Sequence, residues 1–486
     1  MTSDLIMGLD IGTSSVRGAL FDHTGKMLPE SLARRKYTDE GKAEFDADSL
    51  LAEVCGVIDE VLALSAEFEG EITHVPSCAF WHSLVGVDEK GKPTTKVLTW
   101  ADTRSRKYSD VLRNNFDETE VHDRTGAQFH SSFWPSKLLC LRKEYPEVWK
   151  KTASWLSLSD YLALRLFGTP TTSVSMASAT GIFDQQKCTW NPRLLDYLEL
   201  HESALPVIPE THTTFTLTEE FRRKWPRLQN AQWFPAIGDG AANNIGSRCT
   251  TRSRAALMIG TSGAMRVVYE GGPPQRLPPG LWCYRIDCER VIVGGALSDG
   301  GGLYEWLKRN LQIEISDEEI AAEVSRRGAD SHGLTVMPFF FGERSTGYHE
   351  NARGSINRLN ASHDAIDILQ AAMEAVAFRL AEVFDQLNDV SKIEDIVVSG
   401  GALDHSPVWT QIIADVLGRD LLVSNQPEAS LHGAVLLALE SIGKIKNLDK
   451  IESRLELRQF HPKCHDIYEN ARFRHKKSYK ALVVGA

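Results

Sequence analysis

Leu9-Asp10-Ile11-Gly12-Thr13-Ser14-Ser15-Val16-Arg17 near the start and Met258-Ile259-Gly260-Thr261-Ser262-Gly263-Ala264 past the middle share the run Ile-Gly-Thr-Ser. An apolar strand leads into each run, and another leads out: Val16–Phe21 in the first, Ala264–Tyr269 in the second. Four identical residues carry little weight alone. The matched strand–turn–strand setting at the head of each half reads as an internal duplication. A looser echo follows, Ile72–Val75 into Ser77-Cys78-Ala79 and Ile393–Val398 into Ser399-Gly400-Gly401-Ala402. Two related halves predict a cleft between them, where ligands tend to bind.

Working outward, Asp22-His23-Thr24-Gly25 is a second turn, and Met27–Arg35 can return as a third strand of an antiparallel meander. Leu50, Leu51, Val54, Val57, Ile58 and Val61 then share one face of a helix over Ser49–Leu64. The polar stretch Asn244–Arg254 marks a boundary, giving domains 1–248 and 249–486, with Thr125–Ala236 as an insertion in the first. Tyr468, Ala471, His475, Tyr479 and Leu482 have helical spacing and predict a packed terminal helix.

A chain of 486 residues, 42% apolar and 24% charged, has room for two or three cored domains. Its net charge of −11 offers no basic field for nucleic acid. No apolar run approaches the roughly 20 residues of a membrane span. Met1–Asp10 lacks the basic start of a signal peptide, so a cytoplasmic location is expected. Eight cysteines include no CxxC pair. Cys283 and Cys288 come closest, both in strand-like sequence, and read as reduced thiols.

Gly12 to Ser15 form a turn of small residues whose N–H and hydroxyl groups can approach an anion, and Asp10 before it can hold a divalent cation. A plain polar hairpin turn is the alternative. Gly260-Thr261-Ser262-Gly263 repeats the chemistry with Met258 in place of the acid, as suits a nucleotide clamped between halves with its metal on one side. Asp239, flanked by Gly238 and Gly240, can serve as a general base or merely cap a helix. Gly300-Gly301-Gly302 and Gly400-Gly401 stand at strand-to-helix turns where a nucleotide can reach the backbone. Trp81, His82 and Asp102 flank a hairpin and can line a polyol pocket, although such residues are often structural. Gly86 to Lys92 imitates a P-loop, but Pro93 stands where a magnesium-binding hydroxyl belongs. It reads as a hairpin tip.

Asp10 to Ser15, Gly238-Asp239-Gly240, Gly260 to Gly263 and Ser399 to Ala402 occur in the order seen in the FGGY carbohydrate kinases, which the whole chain resembles. The C-terminal signature runs from Gly354 to Glu374 with Arg358 in place of a glycine. The N-terminal signature around Lys137 departs at Trp134 and Cys140. Thr99 to Ser105, Ala177 to Gly181, His82-Ser83 and Gly342-Glu343-Arg344 are most similar to the gluconate kinase branch, with Trp81 replacing a methionine.

The resemblance implies an α/β protein of two ribonuclease H-like domains, of the actin and hexokinase type, closing on ATP and a sugar. It implies phosphoryl transfer from ATP to a primary hydroxyl of an open-chain sugar or sugar acid, gluconate first and xylulose or another ketose second. Asp239 would be the base, Asp10 would orient Mg²⁺, and Trp81, His82 and Asp102 would meet the acceptor. Thr13, Ser14, Ser15 and Arg17 would hold phosphates from one side, and Gly260, Thr261, Gly301 and Gly401 would hold ATP from the other. The partner is then a small molecule, with neither nucleic acid nor membrane involved, and a homodimer is compatible. The rival classes are an actin-like assembly protein, which needs no Asp239, a chaperone-like ATPase, which needs a peptide-binding module, and a sugar binder without turnover.

Overall fold

The computed structural model describes residues 4–37, 43–210, 212–404, 406–450 and 455–485; residues 1–3 of the leader reading on Met1–Asp10 lie outside the described residues. The first half carries β1 (Asp4–Ile11), β2 (Ser15–Phe21), β3 (Ala33–Lys36), β4 (Glu71–Val75), β5 (Ser77–Ala79), β6 (Gln232–Trp233) and β7 (Ile237–Gly238). β1, β2 and β3 form an antiparallel meander, β4 and β5 run parallel beside β1, and β6 and β7 run parallel beside those. The second half repeats the plan with β8 (Arg254–Ile259), β9 (Gly263–Glu270), β10 (Trp282–Arg285), β11 (Arg290–Leu297), β12 (Asp395–Ser399), β13 (Leu421–Ser424) and β14 (Leu455–Arg458). Its order is β10-β11-β9-β8-β12-β13-β14, with β12 parallel to β8 and β13 parallel to β12. Both halves thus have the expected ribonuclease H-like arrangement.

Helix α1 (Ala47–Leu64) is capped by Asp46, whose side chain accepts from the Ser49 N–H. Its Val57 and Val61 close on Gly18 of β2, where a Cβ would stand 2.9 and 3.1 Å from their methyls. Helix α2 (Asp239–Gly246) follows β7, α3 (Gly301–Asn310) follows β11, and α4 (Ala365–Val390) covers the second sheet with Leu369, Val376 and Leu380. Helix α5 (Ala429–Ser441) leaves the second half and seats Leu431, Val435 and Leu439 against Ile6, Ala19 and Phe21 of the first. It crosses α2 so closely that a Cβ on Gly246 would lie 1.8 Å from Ala429 O, and one on Gly433 1.8 Å from Ala242 O. Only glycine fits at either point.

Several boundaries differ from the sequence reading. The third strand covers only Ala33–Lys36, because Met27 makes an isolated bridge to Phe21 and Glu30 has φ 58°. The excursion from the first sheet spans 80–231, starting before Thr125, since the chain leaves after β5 and returns at β6. Asn244, read as the edge of a polar boundary, is buried inside α2, and its Nδ2 donates to Arg266 O at 3.2 Å. Cys283 is in β10, whereas Cys288 is exposed in the turn after it. The terminal helix α6 (Pro462–Tyr479) buries Tyr468, Ala471 and His475, but Leu482 lies beyond it and is exposed. The Gly86–Lys92 stretch closes as a turn, with Asp88 Oδ1 accepting from the Lys90 and Lys92 N–H groups. Among the described residues, no helix is long and apolar enough to cross a membrane.

Candidate active site

β1 and β8 each run into a Gly-Thr-Ser turn. The Gly12 N–H donates to Ser15 O at 3.0 Å, and the Gly260 N–H to Ser262 O at 3.0 Å. Asp10 sits opposite Arg17 in the β1–β2 register, buried. Its Oδ1 accepts from Cys78 Sγ at 3.3 Å, and its Oδ2 lies 3.6 Å from Arg17 Nη1. Burial pushes the Asp10 carboxyl above its ordinary range, and Arg17 offsets part of that rise. Arg17 also pairs at 2.6 Å with Glu428, the residue before α5, so the contact joins the two halves. Ser15 Oγ and Arg17 Nε are buried without partners, which fits a polar group bound beside Asp10. Thr13 and Ser14 occupy the half-buried tip of the turn.

In the second half, three backbone turns converge. The Gly301 N–H donates to Gly260 O at 2.8 Å, and the Gly302 N–H to Thr261 O at 2.9 Å, so α3 starts against the second turn. A Cβ on Gly301 would stand 2.9 Å from Ala402 Cβ, while Gly401 faces open space. A phosphate or nucleotide ring can therefore lie against bare backbone.

Asp239 stands across the same strand ends. Asp10 pairs with Cys78 and Cys78 with Ile237, so Asp239 lies two strands over. At about 4.8 Å per strand that is about 10 Å. Gly238, not Asp239, is the N-cap of α2, so the capping alternative does not hold. Asp239 Oδ1 accepts from the Gly240 N–H at 2.7 Å, leaving Oδ2 without a partner among the described residues. Burial pushes its carboxyl up to about 6, with Arg266 pulling the other way.

The other sequence-derived residues surround this turn. Trp81 is 6% exposed, and its Nε1 donates to Ser175 O at 3.2 Å. Its ring lies so close under Gly238 and Gly240 that a Cβ at those positions would meet it at 1.8 and 2.5 Å. Trp282 and Tyr284, stacked at 4.3 Å, meet Trp81 edge-on. Trp81→Met is therefore expected to cost about 1–3 kcal/mol of stability and to lower turnover with every acceptor together, because the Asp239 turn loses its floor. Thermal melts and an acceptor panel check this. A changed acceptor ranking at unaltered stability would place the ring in the acceptor site instead.

His82, at φ 68°, holds its Nδ1 2.7 Å from Ala179 O. Burial pulls its pKa down to about 3, so the ring is neutral and Nε2 is an acceptor. Asp102 is buried, its Oδ1 and Oδ2 gripped by Arg104 Nε at 3.0 Å and Nη2 at 2.9 Å. Nearby Lys137 donates to Ser132 O at 2.6 Å, and burial lowers its pKa to about 7.

Sequence reading missed three residues here. Glu350 of the second half accepts from Ser109 Oγ at 2.7 Å and Ser131 Oγ at 2.8 Å in the first, fastening the cleft. Arg266 reaches from β9 toward Gly240, and Arg344 lies 4.3 Å over the Trp100 ring. Gly342-Glu343-Arg344 carries only a likeness to the gluconate kinase branch, and Arg266 is one basic residue in an alternating strand. No local pattern singles it out.

Comparison with known proteins agrees with this geometry. Residues 5–246 match the N-terminal domain of the FGGY family of carbohydrate kinases, and residues 255–441 its C-terminal domain. Gluconokinase of Bacillus subtilis is 27% identical over 94% of this chain and 91% of its own. Among solved structures, gluconate kinase from Lactobacillus acidophilus superposes with a TM-score of 0.89 at 25% identity, covering 99% of this chain and 98% of that one. Ligand-bound xylulose kinase from the same organism gives the same TM-score, 0.89, identity, 25%, and coverage, 99% and 98%. Turn sequence, strand order and these likenesses converge: the chain belongs to the FGGY family of carbohydrate kinases, phosphotransferases that use ATP.

Proposed function

We propose that this carbohydrate kinase is a cytoplasmic gluconate kinase that phosphorylates the primary hydroxyl at the end of the acid away from its carboxylate. The observation that carries the mechanism is Asp239: a half-buried carboxylate with one oxygen tied to Gly240 and the other unpartnered. The acceptor comes from likeness to proteins named gluconokinase and gluconate kinase. In this reading lobe 1–248 holds the acceptor and lobe 249–486 the nucleotide.

Asp239 Oδ2 takes the acceptor's hydroxyl proton, and a carboxylate held near 6 is ionised at neutral pH yet basic enough to help. Neutral His82 accepts from an acceptor hydroxyl, Trp81 fixes the Asp239 turn, and Asp102 keeps Arg104 in place at the pocket edge. Thr13, Ser14, Ser15 and Arg17 bind phosphate oxygens from the first lobe; Gly260, Thr261, Gly301 and Gly401 present backbone from the second. Asp10 would hold Mg²⁺, which offsets phosphate charge when bound. The contacts Arg17–Glu428 and Glu350–Ser131 join the two lobes beside the site, where excluding water favours transfer to the acceptor.

The test is ADP formation from ATP and Mg²⁺ with gluconate, xylulose, ribulose, glycerol and erythritol in parallel. Gluconate is expected to give the highest kcat/KM. A higher value with xylulose would assign the ketose instead.

A further inference from the structure

Arg266 is a buried cation without a counterion. It is 7% exposed, its Nε and Nη1 have no hydrogen-bond partner, and it forms no ion pair with a described residue. Its side chain lies along Gly294 and reaches Gly240, where a Cβ would stand 3.1 Å from its Nε. Two further unsatisfied donors belong to the residues around it, Arg344 Nε and Tyr284 Oη, both buried. Arg344 spends only Nη2, on Leu297 O at 2.7 Å. Buried guanidinium groups are normally paired, because desolvation leaves an unmatched charge costly. Burial lowers the pKa of both arginines, and Asp239 acts on each only as a neighbour outside ion-pair range. Asp299 acts on Arg344 in the same way, so among the described residues no carboxylate stands in ion-pair range of either guanidinium.

Two anions could enter: the transferred phosphoryl group or a carboxylate on the acceptor. Position favours the second. Arg266 stands three residues along β9 from Gly263 at the Gly-Thr-Ser turn, about 10 Å at strand rise, and beside Gly240, so the acid would fold back to set its carboxylate on Arg266 and its far hydroxyl on Asp239. Its companion Arg344 lies over Trp100, in the segment of the first lobe that also carries Asp102. We propose that Arg266, assisted by Arg344 Nε and Tyr284 Oη, binds the carboxylate of a sugar acid and makes this kinase select acids over neutral polyols and ketoses. The proposal rests on the gluconate reading above and names the residue that would enforce it. A neutral acceptor can satisfy the hydrogen bonds but leaves the charge unmatched, whereas a carboxylate satisfies both.

The test is Arg266→Met, which keeps volume and removes charge, assayed with gluconate and with glucitol, its neutral alditol. The ratio of kcat/KM for acid over alditol is expected to fall about a hundredfold, and the alditol value to fall far less, through the Asp239 carboxyl that Arg266 helps hold down. Without ligands, the melting temperature should hold or rise, because an unpaired buried cation is gone. An equal loss with both acceptors would give the guanidinium to the transferred phosphoryl group and overturn the proposal. An unchanged ratio would overturn it too. If Arg266→Met does not fold, Arg266→Gln is read in the same way. If the wild type phosphorylates only neutral acceptors, the gluconate reading falls, and calorimetric binding of gluconate to wild type and variant decides the inference separately. Weaker binding to the variant supports it; equal or absent binding overturns it.

Discussion

Asp239→Asn is expected to lower kcat by about a hundred- to ten-thousandfold and to leave ATP affinity nearly unchanged. The amide keeps the shape of the carboxylate and can still accept the Gly240 N–H through Oδ1. What it loses is a basic oxygen for the acceptor's proton. The wild type should also show an acid limb: with its pKa pushed up to about 6, Asp239 becomes protonated as pH falls through that value, and kcat/KM falls with it. The residual activity of the variant should lack this limb. Retention of more than about a tenth of the rate would contradict a general-base role, as would an acid limb that persists in the variant.

Asp10→Ala is expected to cost about a hundred- to thousandfold in turnover, the range typical of losing one preorganised electrostatic contact at a reacting phosphate. It should weaken binding of Mg²⁺ with ATP far more than binding of the acceptor. Arg17 would keep its Glu428 partner at 2.6 Å, so the turn should persist without Asp10. Removing a buried carboxylate whose pKa is raised by desolvation should not destabilise the free protein. Calorimetric titration with each ligand reads this directly. Equal weakening of both ligands would mean that Asp10 serves the fold rather than the nucleotide.

Both variants target residues beside short, Gly-containing segments, Asp10 at the end of β1 and Asp239 at the head of α2, and such segments are legible because their chemistry is local. A hairpin that must bring backbone N–H groups to a phosphate needs Gly, Thr and Ser at fixed positions, whatever surrounds it. The duplication could be read for the same reason, and so could the parallel echo at Ile72–Val75 and Ile393–Val398, whose strands lie beside β1 and β8. Boundaries were less legible where polar residues are satisfied internally. Asn244 looked like linker sequence, but its amide is spent on Arg266 O inside the core.

The sequence by itself determined the class of fold, the two Gly-Thr-Ser turns and the acid at the head of α2, since each depends on neighbours within a few residues. Only the tertiary structure decided what the surrounding side chains do. Trp81 reads in sequence as either a pocket wall or a hairpin core residue, and only the fold lays Gly238 and Gly240, more than 150 residues away in the chain, on its ring. Arg266 reads as an ordinary strand residue until Gly240 and Gly294 are seen against its side chain with no carboxylate of a described residue in ion-pair range. Burial and pairing belong to the folded arrangement of distant segments, and the charge left unmatched there is visible only once those segments have met.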